Sequence, residues 1–232
     1  MFDVRRSETR FHARHGWLDT RHSFSFAEYW DPDNVSFGAL RVFNDDVVEP
    51  NEGFPSHPHR DMEIVTLVLH GELAHKDSSG GEGLLRPGDV QHMTAGTGVV
   101  HSEYNASRDK RVHLLQMWVL PRQQGLAPAY HQGTFPKETR TNRLLRVVGP
   151  DGGGGALPIA QDASLYLGDL DAEVELSHAP VHGRRLYLHV IAGVVDVNGE
   201  RLGHGDAARI ITAEPLRLRA LTGTEVLLWD LA

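Results

Sequence analysis

Residues 53–80 read GFPSHPHRDMEIVTLVLHGELAHKDSSG, and this stretch carries the pattern that predicts the fold. Its apolar run at 62–70 ends at Gly71 and predicts a buried strand, and the polar residues at 77–83 predict a turn. Comparable apolar runs occur at 112–120, 185–191, 194–197, 216–221 and 226–231. Short strands separated by turn residues, with almost no amphipathic helical pattern, indicate a β-sandwich or β-barrel.

The two halves of the chain resemble each other. A strand ending in glycine, a second strand and a Gly-Asp turn occur within 63–90, and the same order occurs within 186–207. This repetition predicts a duplicated β-barrel whose halves are connected near 121–143. A chain of 232 residues has the length for two such domains.

The composition argues against several classes of function. The net charge is −8, and no run of Lys and Arg is longer than two residues, whereas a protein that binds nucleic acid directly usually has a basic surface. We therefore expect no direct nucleic-acid partner. No apolar stretch of about 18 residues occurs, so we expect no membrane segment and a cytoplasmic location. The chain has 15 histidines and no cysteine, so any metal must be held by histidine and carboxylate groups.

Two short segments place ligand-type side chains two residues apart. His57 and His59 would face one side of a strand, and so would His101, Glu103 and Asn105. Each segment alone is also typical of an ordinary surface strand. Together, three imidazoles and one carboxylate are sufficient to bind one divalent metal ion and to leave positions open for a substrate.

These residues resemble the two cupin motifs, and the stretches at 15–46, 53–80 and 95–105 (AGTGVVHSEYN) resemble the pirin family in particular. The resemblance is most specific over 14–128 and continues more weakly to the C-terminus. It implies an all-β fold of two tandem cupin β-barrels (double-stranded β-helix, or jelly roll), that is, a bicupin. The expected domains are a metal-binding cupin at 1–128 and a degenerate cupin at 129–232. The second half shows no ligand pattern, so we expect it to contribute packing only.

The resemblance also implies roles for individual residues. Many cupins have a metal-binding glutamate where this chain has Glu63, but in pirins the metal carboxylate corresponds to Glu103. We therefore expect Glu63 and Asn105 to support the ligands without binding the metal. Gly96 replaces the proline that is usual in the second cupin motif. The expected ligands of one divalent metal ion are His57, His59, His101 and Glu103. Fe²⁺ is expected first, with Ni, Cu, Mn, Co and Zn as alternatives.

Pirin-like proteins are associated with quercetin 2,3-dioxygenase activity, so the resemblance implies cleavage of a small aromatic flavonol with O₂. In that reaction Glu103 would accept the proton of the flavonol 3-hydroxyl group. We predict that Phe24 and Phe26 lie on one strand and Phe37 on the next, where they form either an apolar wall of the substrate pocket or ordinary core. His75 is expected at a loop or strand edge.

Three other functions remain compatible with the same residues. The first is a regulatory protein, similar to a transcription co-regulator, whose metal state controls binding to a protein partner. The second is a structural or sugar-binding cupin in which the metal only stabilises the barrel. The third is a Lewis-acid isomerase, which would not require O₂.

Overall fold

The computed structural model describes all 232 residues and consists almost entirely of β-strands, with three short 3₁₀ turns at Ser7–Thr9, Lys137–Thr139 and Gly153–Gly155. The strands are β1 (Phe2–Arg5), β2 (Phe11–Arg14), β3 (Leu18–His22), β4 (Leu40–Val48), β5 (Gly53–His59), β6 (Glu63–His70), β7 (Leu73–Asp77), β8 (Glu82–Leu85), β9 (Asp89–Thr94), β10 (Val99–Asn105), β11 (Val112–Val119), β12 (Ala129–Thr134), β13 (Leu145–Gly149), β14 (Leu157–Pro158), β15 (Ala163–Leu170), β16 (Glu175–His178), β17 (Arg185–Ala192), β18 (Val194–Val197), β19 (Glu200–Gly203), β20 (Ala207–Ile211), β21 (Leu216–Ala220) and β22 (Thr224–Leu231). The structure contains no helix with the length and hydropathy of a membrane span.

The chain divides into two compact units. The first barrel comprises 11–136 and 157–161, and the second barrel comprises 1–10, 137–156 and 162–232. This division differs from the expected domains because β1 pairs with β20 in the second barrel, while β12 pairs with β9 in the first. The strand pattern of the sequence does not predict these two positions, because both pairings join residues that are far apart in the chain.

The first barrel consists of two antiparallel sheets. Seven strands follow the order β12-β9-β6-β11-β4-β3-β2, and four follow the order β5-β10-β7-β8. Apolar side chains from both sheets form one buried cluster inside the barrel: Val48, Val68, Leu73, Leu85, Val112 and Leu114. Burial of such side chains is the main stabilising contribution to a fold of this kind.

The second barrel repeats this arrangement. Its sheets follow the orders β1-β20-β17-β22-β15-β13-β14 and β16-β21-β18-β19, so each strand of the first barrel's smaller sheet has a counterpart in the second. The predicted duplication is therefore confirmed. By position in the sheet, β21 corresponds to β10, and its inward side chains Leu216, Leu218 and Ala220 are buried in an apolar cluster. The second barrel thus has apolar side chains where the first has ligand-type side chains.

Candidate metal centre

His57 and His59 lie on β5, which is an edge strand of the four-stranded sheet. The edge position explains how a strand with the sequence GFPSHPH can form, since Pro55 and Pro58 have no N–H group to donate to a second neighbour. His57 is directly opposite His101 of β10 in the ladder. The alternation of β5 then places His57 and His59 on the same side, as the spacing predicted.

His101 and Glu103 lie on β10, which pairs with β5 on one side and with β7 on the other. Both residues are 1% exposed, whereas Val100 between the turn and His101 is 45% exposed. The chain enters β10 through a tight turn in which Gly96 has φ +48°, and a Cβ atom there would lie 2.0 Å from the carbonyl oxygen of Leu126. Proline cannot adopt a positive φ, which accounts for glycine at this position of the motif.

The imidazole rings of His57, His59 and His101 converge, with centroid distances between 4.4 and 4.8 Å. Nδ1 of His57 donates a hydrogen bond to the carbonyl oxygen of Pro55 at 2.7 Å, and this bond selects the tautomer whose Nε2 can bind a metal. That Nε2 lies 2.9 Å from Nε2 of His101. Two nitrogens that bind one ion at about 2.05 Å and at a right angle to each other are themselves about 2.9 Å apart. The arrangement of these nitrogens therefore fits a metal ion.

Burial favours the neutral form of two candidate ligands, His59 and His101. It lowers the pKa of His59 to about 4, with a further contribution from the nearby His57. It lowers the pKa of His101 to about 2, with further contributions from the neighbouring histidines. Neutral imidazole is the form that binds a metal, so neither ring needs to lose a proton near neutral pH.

Glu103 contributes a buried carboxylate to the same region. Burial raises its pKa to about 7, and a hydrogen bond from Gln116 opposes that rise. Nε2 of Gln116 donates to Oε2 of Glu103 at 2.7 Å, whereas Oε1 is buried without a hydrogen-bond partner. An unpaired buried carboxylate oxygen is costly, and a neighbouring cation would remove that cost. The donor set of three imidazoles and one carboxylate therefore fits a divalent ion.

His75 belongs to this region as well, contrary to the expectation that it lies at a loop or strand edge. It lies on β7 directly opposite Glu103 and is 2% exposed. Its Nε2 is 3.0 Å from Oδ2 of Asp77, and its Nδ1 accepts a hydrogen bond from Gln91 at 3.3 Å. His75, His101 and Glu103 form one group of possible ligand atoms, all within 4.8 Å of one another, and His57, His59 and His101 form another. His101 is common to both groups.

Glu63 lies apart from the candidate ligands, and the expectation that it supports them is wrong. It is fully buried on β6, but the following residue, Ile64, packs in the apolar cluster against which Trp118 packs, and Trp118 contacts His59. Successive strand side chains point to opposite faces, so Glu63 faces away from the ligands. The even spacing between His59 and Glu63 does not place them on the same face, because residues 60–62 interrupt the strand and Asp61 has φ +57°. The Glu63 carboxylate accepts hydrogen bonds from His92 Nε2 (2.7 Å), Thr94 Oγ1 (3.1 Å) and Ala160 N (2.9 Å).

Asn105 shares the inward parity of His101 and Glu103 but hydrogen-bonds only to the backbone. The two N–H donors of its Nδ2 are shared among the carbonyl oxygens of Val48, Glu49 and Lys110, at 3.1, 3.1 and 2.8 Å, and its Oδ1 accepts from the backbone N–H of Ser107. All of these partners are backbone groups next to the end of β10, so Asn105 stabilises the barrel. It has no hydrogen bond to a candidate ligand, contrary to expectation.

The three phenylalanines do not form the predicted pair of strands. β3 ends at His22, Phe24 and Phe26 follow it outside any strand, and Phe37 forms only an isolated bridge with Leu40. Phe24 is fully buried and Phe37 is 7% exposed, which favours the core interpretation for both.

Phe26 is the phenylalanine that reaches the ligand region, through Trp118. Its ring packs edge-on against that of Trp118 at a centroid distance of 5.2 Å, and Trp118 packs edge-on against His59 at 4.7 Å. Sequence reasoning gave Trp118 no role. The signal that was available is its even spacing from Gln116, since both side chains point from β11 into the barrel.

Comparison with known proteins agrees with this architecture. The pirin family model matches residues 3–119, and the model described as the quercetinase C-terminal cupin domain matches residues 146–231. The chain is 42% identical over 231 residues to a protein of Escherichia coli strain K12 named quercetin 2,3-dioxygenase, covering 100% of this chain and 99% of that protein. The chain belongs to the pirin family. A pirin-like protein of Caulobacter vibrioides is likewise 42% identical, over 95% of both chains.

Solved structures extend the agreement to three dimensions. The bacterial pirin YhhW of Escherichia coli, solved in complex with nickel(II), matches with a TM-score of 0.95 and 42% identity, covering 100% of this chain and 99% of that one. A quercetin 2,3-dioxygenase of Acinetobacter baumannii shares the fold, with a TM-score of 0.78 at 23% identity over 98% of this chain and 85% of that one. The predicted all-β bicupin fold is thus confirmed.

Proposed function

We propose that this pirin is a metal-dependent dioxygenase that cleaves a flavonol such as quercetin with O₂. The observation that carries the proposal is the convergence of His57, His59 and His101, together with the second group in which His101 lies near the buried Glu103, whose Oε1 has no hydrogen-bond partner. The relatives named quercetin 2,3-dioxygenase support this reaction in particular. The overall reaction needs no external reductant, because flavonol and O₂ together give a depside and carbon monoxide.

The metal would be held by the three histidines and Glu103. When bound, a divalent first-row ion supplies a Lewis-acid position at which the deprotonated flavonol and O₂ can be activated. Fe²⁺ suits a mixed imidazole and carboxylate site, and we propose it as the native metal, with Ni²⁺ as its main competitor because a related pirin was solved with nickel(II).

Glu103 would accept the proton from the flavonol 3-hydroxyl group. Its pKa of about 7, which results from burial, suits a group that takes up and releases a proton near neutral pH. Because Oε1 has no hydrogen-bond partner and would face the metal, the second oxygen, Oε2, is the atom assigned to this transfer. The hydrogen bond from Gln116 uses one lone pair of Oε2 and leaves the other to accept the proton.

The side chains around His59 would bind the aromatic rings of the flavonol. Trp118 and Phe26 offer apolar ring surface beside His59, and aromatic groups pack favourably against such surfaces in offset or edge-on geometry. His59 is only half-buried, whereas His101 is buried. A ligand would therefore approach from the side of β5.

The test begins with metal analysis of protein purified without added metal, beside a His101→Ala variant. About one equivalent of metal in the wild type and a large loss in the variant would support the site. Protein loaded anaerobically with Fe²⁺ or Ni²⁺, mixed with quercetin and then exposed to air, should consume O₂ and release carbon monoxide and a depside. A loaded wild-type protein that forms neither product would refute the dioxygenase function, and an isomerised product formed without O₂ would indicate Lewis-acid catalysis instead.

A further inference from the structure

A row of polar side chains crosses the inner face of the seven-stranded sheet in the first barrel. The strand register places these residues directly opposite one another, and each is 9% exposed or less: His22, Asn44, Gln116, Thr66 and Gln91. The neighbouring pair on the same face, two residues away along β11 and β6, is apolar and consists of Leu114 and Val68. A buried polar row is costly unless its groups are hydrogen-bonded, so the partners of each side chain indicate why the row exists.

Two glutamines of this row donate to residues of the facing sheet. Gln116 donates to Glu103 at 2.7 Å, and Gln91 donates to His75 at 3.3 Å. Glu103 and His75 are themselves opposite each other in the ladder of β10 and β7. Gln116 therefore contacts Glu103, one of the four proposed ligands. Gln91 is an otherwise similar buried glutamine, and its partner His75 is not among those four, because Asp77 and Gln91 occupy both of its ring nitrogens.

The orientation of the Gln116 amide is determined at both ends. Nε1 of Trp118 donates to Oε1 of Gln116 at 3.2 Å, while Nε2 of Gln116 donates to Oε2 of Glu103. The indole N–H can only donate, so it requires the amide oxygen to face it. If the amide were turned around, its oxygen would face the Glu103 carboxylate and both atoms would be acceptors.

The same pair of residues contacts a second candidate ligand, because the Trp118 ring packs edge-on against His59. The indole nitrogen of Trp118 thus contacts Gln116, and the indole ring contacts His59. Gln116 in turn donates to one oxygen of Glu103 and leaves the other, Oε1, without a partner. Partners that orient a ligand in this way raise metal affinity, and their loss typically costs about 10–100-fold.

We propose that Gln116 is a positioning residue that directs Oε1 of Glu103 toward the metal, and that Trp118 acts on the same ligand by setting the orientation of the Gln116 amide. This inference rests on the proposed function to the extent that Glu103 is a metal ligand. The inference goes beyond the proposed function because two residues of β11 that do not bind the metal would control the affinity for it.

Metal binding to chelator-treated protein tests the proposal without any assay of catalysis. Dissociation constants for Ni²⁺ would be measured by competition with a chromophoric chelator for the wild type, Gln116→Leu, Trp118→Phe and the matched control Gln91→Leu. We expect Gln116→Leu to bind about 10–100-fold more weakly, Trp118→Phe to show a smaller loss in the same direction, and Gln91→Leu to match the wild type. Gln116→Met, which keeps the length of the side chain, replaces Gln116→Leu if the latter fails to fold.

A double-mutant cycle with Glu103→Ala separates positioning from general loosening of the barrel. If Gln116 acts through Glu103, Gln116→Leu should cause no further loss of affinity in the Glu103→Ala protein. Equal losses in Gln91→Leu and Gln116→Leu, or full additivity with Glu103→Ala, would overturn the inference. A wild-type protein that binds no Ni²⁺ would instead refute the proposed metal site itself.

Discussion

Replacing Asp46 with asparagine should make the protein more stable at pH 8 and leave its stability almost unchanged near pH 4. Asp46 lies on β4 inside the first barrel and is 3% exposed. Burial raises its pKa from 3.8 to about 7, with further contributions from Asp45 and Glu103, and a hydrogen bond from Thr20 opposes the rise. The folded protein therefore retains the Asp46 proton over a range of pH in which the unfolded chain has lost it.

The sign and size of the effect follow from this difference in proton binding. Between about pH 4 and pH 7 the unfolded state binds one proton fewer at this position, so the free energy of unfolding falls as the pH rises. A shift from 3.8 to about 7 corresponds to about 4 kcal/mol at roughly 1.36 kcal/mol per pKa unit. Asparagine cannot ionise and retains an oxygen that can accept the hydrogen bond from Thr20, so the variant should not lose this stability.

The assay is urea unfolding of both proteins with chelator present, at intervals from pH 4 to pH 8. The two free energies of unfolding should diverge as the pH rises, to a difference on the order of 4 kcal/mol. The control is Asp45→Asn, which removes a carboxylate that makes a smaller contribution to the shift from the opposite face of β4, where Asp45 pairs with His113 at 2.7 Å. Its alkaline gain should be much smaller, because burial of Asp46 is the main cause of the raised pKa. Parallel curves for the wild type and Asp46→Asn, or the same alkaline gain in the control, would refute the reasoning.

Three further predictions concern residues whose expected roles the structure changes. Asn105→Ala should lower the free energy of unfolding by about 1–3 kcal/mol without changing metal affinity, because the two N–H donors that three carbonyl oxygens share are lost. Weaker metal binding in this variant would restore the ligand-supporting role. Glu63→Leu should cost about 1–3 kcal/mol in urea unfolding, because His92, Thr94 and the backbone N–H of Ala160 lose their buried acceptor. Metal analysis should show unchanged stoichiometry, and loss of the metal would contradict the placement of Glu63 on the opposite face. Phe24→Ala should cost about 3–5 kcal/mol of stability and leave the KM for a flavonol nearly unchanged, whereas Phe26→Ala should raise that KM. Steady-state oxygen uptake measures both values. Equal effects on KM would show that Phe24 and Phe26 do not differ in their role in substrate binding.

The strands were the most predictable part of the fold. The apolar run at 62–70 corresponds to Glu63–His70, and the run at 185–191 corresponds to Arg185–Ala192. These strands are predictable because burial on both faces produces continuous runs of Val, Leu and Ile. The exchange of β1 and β12 between the barrels was not predictable, because edge-strand pairing depends on which sheet edge lies nearby.

The ligand pairs were predictable for a similar local reason. His57 and His59 are two apart on one strand, and so are His101 and Glu103, so alternation alone places each pair on one side. The same argument was wrong for Glu63 and insufficient for Asn105. The alternation of faces does not continue across the interruption at 60–62, so it does not predict the face of Glu63. Asn105 shares a face with Glu103 but lies at the end of the strand, where its neighbours are backbone groups.

The strands and the paired histidines could be predicted from side-chain periods along a single strand, the duplication from the repeated order of strands and turns, and Glu103 as a ligand from the resemblance to pirins. Which residues surround those ligands depends on the tertiary structure. His75, Gln116 and Trp118 come from β7 and β11, and they meet His59 and Glu103 only because the two sheets face each other. Periodicity determines the face on which a side chain lies, but the pairing and packing of distant strands determine what that face meets.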